Sequence, residues 1–177
     1  MGRIMAVEYV TLDGVFENPA WTQQYFDETV AAFQGEAMQW ADALLLGRIT
    51  YEGMSQAWPA SGNDPATGGD IMNSIGKYVP TSTLTEPIWN ATFLSGDVVE
   101  AVTDLKKGSD NLVIYGSGQL SESLRTEGLI DEYRLLICPI VLGEGRKLFT
   151  GTTASEFTVT KSSTAPSGMV LLTLTTA

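Results

Sequence analysis

The chain has 177 residues, 44% hydrophobic and 18% charged, a balance typical of one globular domain spanning residues 1–177. Its net charge of −11 argues against binding to nucleic acid or to anionic membranes, because both need clustered Lys and Arg. It has no His and a single Cys, which excludes Ser-His and Cys-His catalysis, an internal disulfide, and metal sites built on His or paired Cys.

The N-terminal part predicts a strand followed by a helix. Residues 3–10 form a β-prone run that ends at the Asp13-Gly14 turn. Glu8 comes too early for the apolar core of a signal peptide, which favours a cytoplasmic protein. A helix is expected to begin near Asn18-Pro19 or at Thr22 and to present one apolar face over residues 26–40.

Strand and helix signals then alternate along the rest of the chain. Residues 43–46 are wholly apolar, as in a strand buried on both faces, and residues 48–56 predict a helix followed by a loop over 57–70. Strands are predicted at residues 77–81, 92–95, 111–115 and 133–138, and helices at residues 97–107 and 118–125. Residues 157–164 and 169–175 predict a terminal antiparallel pair of strands. This order predicts an α/β fold with a mostly parallel central sheet flanked by helices and a C-terminal antiparallel hairpin.

Two predicted strand–helix junctions are rich in glycine. In Gly47-Arg48-Ile49-Thr50 the free N–H groups of a helix start would attract an anion, beside a guanidinium and a hydroxyl. In Gly116-Ser117-Gly118-Gln119 the glycines would let the backbone approach a phosphate closely. The alternatives are a glycine turn with a solvated Arg48 and an incomplete dinucleotide motif, because Ser121 stands where a third glycine belongs.

Other candidate residues have a plain structural interpretation beside the functional one. Asp13 is a candidate substrate contact or simply part of a turn, and Trp21 could cover a flat heterocycle or pack in the core. Asp27 is interpreted as a solvated helix acid, Cys138 as a buried structural thiol and the glycine-containing segment 142–147 as a surface turn.

Several segments, taken together and in order, resemble one family. Thr11-Leu12-Asp13-Gly14 is similar to the Ser-Leu-Asp-Gly segment of the RibD C-terminal branch of the dihydrofolate reductase superfamily. The other matching segments are residues 44–52, with Gly-Arg-x-Thr; 77–84, with Ser-Thr-Leu; 114–118, with Gly-Ser-Gly; and 128–139 with 142–145, which include Gly143. The resemblance covers the chain from about Ile4 to Phe149.

The resemblance implies a nicotinamide-dependent reductase, as a homodimer, acting on a small molecule. It places the adenosine side of NADPH at Gly47, Arg48 and Thr50, and the adenine or its 2′-phosphate near Ser82 and Thr83. The pyrophosphate is assigned to Gly116, Ser117, Gly118 and Gln119. The substrate end of the site is assigned to Asp13, Gly14, Trp21 and Gly143. NADH stays open as an alternative cofactor, because Ser82 is followed directly by Thr83 where some relatives carry an Arg.

The implied reaction is hydride transfer to a small heterocyclic or imine substrate, similar to the 5-amino-6-(5-phosphoribosylamino)uracil reductase step of riboflavin biosynthesis. No Lys or Arg lies between Arg3 and Arg48, so Arg146 and Lys147 are the candidates to meet a substrate phosphate. Two alternatives stay open: a dimeric ligand-binding protein of the same fold without catalysis, and a folate or flavin binder that uses the same cleft.

Overall fold

The protein is described by a computed structural model over residues 1–151 and 153–176. The strands are β1 Ile4–Thr11, β2 Ala43–Leu45, β3 Gly76–Pro80, β4 Ala91–Leu94, β5 Leu112–Tyr115, β6 Glu132–Cys138, β7 Phe157–Thr164 and β8 Val170–Thr176. The helices are α1 Glu28–Trp40, α2 Arg48–Ser61, α3 Gly69–Ser74, α4 Val98–Lys106 and α5 Gly118–Thr126, with short 3-10 helices at Pro19–Tyr25 and Pro65–Thr67.

All eight strands form one sheet in the order β4-β3-β2-β5-β1-β6-β8-β7. Neighbouring strands from β4 to β6 run parallel, whereas β8 is antiparallel to β6 and β7 is antiparallel to β8. The predicted α/β fold with a mostly parallel sheet and a C-terminal antiparallel hairpin is therefore confirmed. The carboxyl ends of β2, β5 and β1, three adjacent strands, lie at the same edge of the sheet.

Both faces of the sheet are covered, which produces two core layers. Successive side chains of β1 alternate between them, as the pleat requires. On the α1 face, Met5 and Val7 are in the same cluster as Val30 and Phe33 of the helix. On the α5 face, the cluster includes these residues of β1 and of the helix: Ile4, Ala6, Val10, Leu120 and Leu124.

The first helix begins later than the sequence pattern predicted. Asn18-Pro19 opens only a 3-10 turn, and Phe26, which is extended and more than half exposed, separates that turn from α1. Asp27 is the true N-cap, because its Oδ1 accepts the N–H of Val30 at 2.9 Å. The expected apolar face therefore starts at Val30 and excludes Phe26.

The predicted loop over residues 57–70 is also wrong in part. Helix α2 continues through Pro59 to Ser61, and α3 begins at Gly69. A proline in the last helical turn removes only one N–H group from the helix. Nδ2 of Asn73, in α3, donates to the carbonyl groups of Trp58 and Gly62, at 3.2 and 3.0 Å. These hydrogen bonds provide partners for carbonyl groups at the C-terminal end of α2.

Within the described residues, no helix is both long and apolar enough to cross a membrane. The same residues contain no cluster of acidic or Cys side chains arranged to hold a metal ion.

Candidate functional site

The two glycine-rich junctions meet at the carboxyl edge of the sheet. Strands β2 and β5 are paired, so the loops that follow them are neighbours. The N–H of Gly47 donates to Oγ of Ser117 at 2.9 Å and joins the loops directly. Together they border a pocket of about 200 Å³, whose lining is Phe16, Gly47, Arg48, Ile49, Thr50, Ser117, Gly118, Gln119, Leu120 and Arg146.

The N-termini of α2 and α5 both open onto this pocket without a side-chain cap. Gly47 is the N-cap residue of α2 and provides no side chain. Ser117 is the N-cap residue of α5, but its hydroxyl makes no capping hydrogen bond to the helix. Uncapped N–H groups and the positive ends of two helix dipoles therefore converge, which is an arrangement suited to an anion.

Glycine is needed at both ends of the Gly116–Gly118 loop. Gly116 has φ +56°, in the left-handed region, and it lies close to Thr50 of α2. A Cβ at Gly118 would lie only 2.5 Å from the ring of Phe16. The loop is therefore closely packed at Gly118, and Ser117 and Gly118 line the pocket.

The charged side chains that line the pocket are basic. Arg48 is about two-fifths exposed and pairs with Glu52 one helical turn later, at 2.8 Å. Arg146 reaches the pocket from the segment after β6, and its Nε donates to Glu17 at 2.7 Å. This hydrogen bond from Arg146 lowers the pKa of Glu17. Among the described lining residues there are two arginines and no carboxylate, in a chain whose net charge is strongly negative.

Ser82 and Thr83 lie in the exposed loop that follows β3, the strand next to β2. The N–H groups of Thr83 and Leu84 both donate to Oγ1 of Thr81, at 3.2 Å, so a local turn orders this loop. Neither Ser82 nor Thr83 lines the pocket, although both lie at the same edge of the sheet.

Of the residues expected at the substrate end, Gly14 and Gly143 lie at the Asp13 carboxylate, whereas Trp21 has other partners. Oδ2 of Asp13 accepts the N–H of Gly143 at 2.9 Å, and its Oδ1 accepts the N–H of Leu142 and the hydroxyl of Thr11. The hydrogen bonds from Thr11, Gly143 and Leu142 lower the pKa of Asp13 to about 2. Asp13 is thus an ionised clamp that ties the turn at Gly14, where φ is +83°, to the loop after β6.

Three further candidates have structural partners. Trp21 is partly buried against the α1-face core, and its Nε1 donates to the carbonyl group of Glu17 at 3.1 Å. Asp27 caps α1 and also accepts the N–H of Ser167 at 2.9 Å, and these backbone hydrogen bonds lower its pKa. Cys138 is buried, as predicted, and its burial raises the thiol pKa to about 11.

The pocket residue Phe16 and the buried acid Glu8 were not identified from the sequence pattern. Phe16, which packs against Gly118, follows a turn and has no sequence signal of its own. Glu8 lies in β1 and is 1% exposed, and burial raises its pKa well above the usual value. A single carboxylate within an otherwise apolar strand was the signal available for Glu8.

Comparison with known proteins identifies the family. The model of the RibD C-terminal domain matches residues 3–171. The uncharacterized protein YyaP of Bacillus subtilis (strain 168) is 33% identical over 155 residues, which cover 83% of this chain and 80% of that protein.

Two solved structures share the fold. A putative riboflavin biosynthesis protein from Shewanella sp. PV-4 has a TM-score of 0.74 at 23% identity, over 99% of both chains. The dihydrofolate reductase from Enterococcus faecalis, complexed with NADP(H) and RAB-propyl, has a TM-score of 0.66 at 17% identity, over 99% of this chain and 96% of that one. The family match and the relative from Bacillus subtilis show that the chain belongs to the RibD C-terminal domain family. The sheet order and the two solved structures show that it has a dihydrofolate reductase-like fold.

Proposed function

We propose that this protein is a reductase that uses a nicotinamide nucleotide, NADPH in preference to NADH. The observation that supports the proposal most strongly is the convergence of two uncapped helix N-termini on one pocket, beside Arg48 and Arg146. The structural relative from Enterococcus faecalis was solved with NADP(H), which supports the same class of cofactor.

The residues present suit a dinucleotide. The backbone N–H groups that begin at Ser117 and Gly118 would hold the pyrophosphate, and those of α2 from Arg48 onward would hold the adenosine side. The guanidinium of Arg48 is the charge available to a 2′-phosphate, which NADPH has and NADH lacks. Two glycines keep the loop surface free of side chains, as close approach to a phosphate requires.

The bound nucleotide would supply a hydride to a small heterocyclic or imine substrate. The protein's part is to position the reactants and to exclude water from them. Asp13 contributes by fixing the Gly14 turn against Gly143, and its low pKa keeps it ionised near neutral pH. It is therefore a positioning residue and has no proton to donate at that pH.

Thermal unfolding with NADPH and with NADH, each at roughly 1 mM, tests the proposal. A ligand at 100 times its Kd stabilises the native state by about 2.7 kcal/mol, which corresponds to about 5 to 10 °C in Tm for a domain of this size. A larger shift with NADPH than with NADH is the expected result. Equal Tm shifts would be consistent with a reductase but would contradict the contact between Arg48 and a 2′-phosphate. No shift with either nucleotide would contradict the proposal.

The homodimer implied by the resemblance is part of the same proposal. Strand β7 lies at an edge of the sheet, and its residues from Thr158 to Thr164 are exposed, including the apolar Val159. Such an edge is available for contact with a second copy. Light scattering on the eluting protein should give twice the 19.0 kDa chain mass, and a mass of one chain would contradict this part of the proposal.

A further inference from the structure

A second pocket lies at the amino edge of the sheet, opposite the pocket between the N-termini of α2 and α5. Its volume is about 530 Å³, which is within the range typical of small-molecule sites. Asn73 and Trp89 border it and shortly precede the parallel strands β3 and β4, so the pocket lies where these strands begin. We call it the Trp89 pocket, and its lining is Ser55, Pro59, Asn63, Asn73, Ile88 and Trp89.

Trp89 and Asn90 have a backbone conformation that is rare for residues with side chains. Their φ angles are +53° and +56°, in the left-handed region, where a bulky residue such as tryptophan is strongly disfavoured. The hydroxyl group of Tyr51 donates to the carbonyl group of Ile88 and accepts its N–H, both at 3.0 Å. Nδ2 of Asn90 donates to the carbonyl group of Asn73 at 2.9 Å. Strained backbone that its surroundings hold in place in this way is concentrated at ligand sites.

The indole of Trp89 is held from inside the protein. Its Nε1 donates to Oδ1 of Asn73 at 2.8 Å, and Nζ of the buried Lys77 lies 3.9 Å from the ring centroid. Trp89 lines the pocket and Lys77 does not, so the pocket meets Trp89 on a side that the ammonium group leaves free. Because Lys77 already interacts with the π system, the indole is a poor partner for a second cation and a suitable one for a neutral flat ring.

The polar side chains that line the Trp89 pocket are uncharged. Oδ1 of Asn63 accepts a hydrogen bond from Asn73 at 2.9 Å, whereas Nδ2 of Asn63 has no protein partner among the described residues. Oγ of Ser55 donates to the carbonyl group of Glu52 at 3.2 Å, and the same oxygen can still accept a hydrogen bond. The pocket therefore offers an amide donor and a hydroxyl acceptor beside its apolar residues.

We propose that the Trp89 pocket binds a small neutral molecule with a planar heterocyclic ring, which packs against the indole and offers an acceptor to Asn63 and a donor to Ser55. The lining has no charged side chain to pair with a phosphate or an ammonium group. The inference goes beyond the proposed function and does not depend on it, because no described residue lines both pockets.

The test follows the indole N–H groups by nuclear magnetic resonance while small probes are added. The chain has four tryptophans, and single Trp→Phe variants assign their signals. Uridine and adenosine are the probes, because each is neutral and its flat ring carries a hydrogen-bond donor and an acceptor. Benzoate, benzylamine and glucose are the anionic, cationic and non-planar controls. A second series contains saturating NADPH, which occupies the pocket between α2 and α5.

At least one nucleoside should shift the Trp89 signal saturably, with or without NADPH, and the three controls should not. Calorimetry should show that Asn63→Ala and Ser55→Ala each raise the Kd of that nucleoside about fivefold, as for the loss of one hydrogen bond. Trp89→Leu should raise it about tenfold or more, because the stacking partner is lost. Ser61→Ala is the matched control, since Ser61 is exposed in the last turn of α2 and its Oγ bonds only to Ala57 of that helix. Tm is measured for every variant, so that one poorly folded protein does not decide the result.

Three outcomes would overturn the proposal. The first is the absence of a saturable shift of the Trp89 signal with either nucleoside. The second is an equal response to benzoate, benzylamine or glucose, which would contradict the ligand class. The third is binding that NADPH abolishes and Asn63→Ala leaves unchanged, which would place the nucleosides in the other pocket. Failure of NADPH to bind would contradict the proposed function alone, because a shift of the Trp89 signal that depends on Asn63 would still support this site.

Discussion

The N–H of Gly47 donates a 2.9 Å hydrogen bond to Oγ of Ser117, across 70 positions of the sequence. Ser117 has φ +61°, so it holds a left-handed conformation that is unusual for a residue with a side chain. The contact sets the distance between the N-termini of α2 and α5, and hence the width of the pocket between them.

Ser117→Ala should therefore weaken both the fold and the site. The loss of one hydrogen bond should lower the free energy of unfolding by about 1 kcal/mol, and Tm by about 2 to 4 °C. The Kd of NADPH should rise severalfold, because the two helix ends are no longer joined. Ser123→Ala is the matched control, since Ser123 lies on the exposed side of α5 and bonds only within the helix. Equal effects of the two substitutions on binding would refute the role of the contact.

Arg48 should distinguish the two nicotinamide nucleotides. Arg48→Ala should raise the Kd of NADPH about tenfold or more and that of NADH by less than about threefold, because only NADPH offers a 2′-phosphate to a charge-assisted hydrogen bond. Glu52→Gln removes the carboxylate that pairs with Arg48 and should tighten NADPH binding modestly. Calorimetric titrations measure both effects. If the Arg48 variant loses NADPH and NADH equally, its guanidinium has no role in the preference.

A methyl group at Gly118 should displace Phe16. Its Cβ would lie 2.5 Å from that ring, so Gly118→Ala should lower the free energy of unfolding by about 1 to 3 kcal/mol. In a Phe16→Ala background the same change should be much less destabilising, which a double-mutant cycle measures. Gly53→Ala in α2 is the control, because its Cβ meets nothing within 4 Å and alanine favours helix. Additive effects at positions 16 and 118 would be inconsistent with the close approach of the Phe16 ring to Gly118.

The stabilisation of the fold by the Asp13 carboxylate should decrease as the pH falls. Hydrogen bonds lower its folded-state pKa to about 2, below the ordinary value of 3.8, so its stabilisation is present above pH 4 and is lost as pH falls through about 2. The difference in Tm between wild type and Asp13→Ala should therefore narrow between pH 5 and pH 2. The exposed Asp110, changed to Ala, serves as the comparison. A difference that stays constant over this interval would show that the Asp13 carboxylate has no stabilising partners.

The sequence predicted the order of the strands and of the helices other than α3 because local signals set it. Residues 43–46 are all buried and the first three of them form β2, and Asp97 accepts the N–H groups of Val99 and Glu100 as a helix cap. The helix boundaries that were predicted wrongly depend on contacts with residues distant in sequence. Asn73 satisfies the carbonyl group of Trp58 from another helix, and no periodicity in residues 57–70 encodes that contact.

The site was predictable to a similar degree. The Gly47 and Gly116 junctions have recognisable glycine patterns, and the structure brings them to one pocket. Arg146 reaches the same pocket only because the segment after β6 folds back to Val15, an arrangement that depends on tertiary structure. The burial of Glu8 likewise follows from the packing of α5 over β1, which the sequence of the strand alone does not define.

Calorimetric titration of NADPH into wild type and into Gly116→Val tests the nucleotide site most directly. The valine would place a branched side chain at φ +56°, beside Thr50, and so should distort the loop that faces the pyrophosphate. We expect saturable binding of one NADPH per wild-type chain and a Kd at least about tenfold higher in a variant whose circular dichroism shows that it is folded. Absence of saturable wild-type binding at millimolar NADPH, or the same Kd in both proteins, would contradict the proposed nucleotide site.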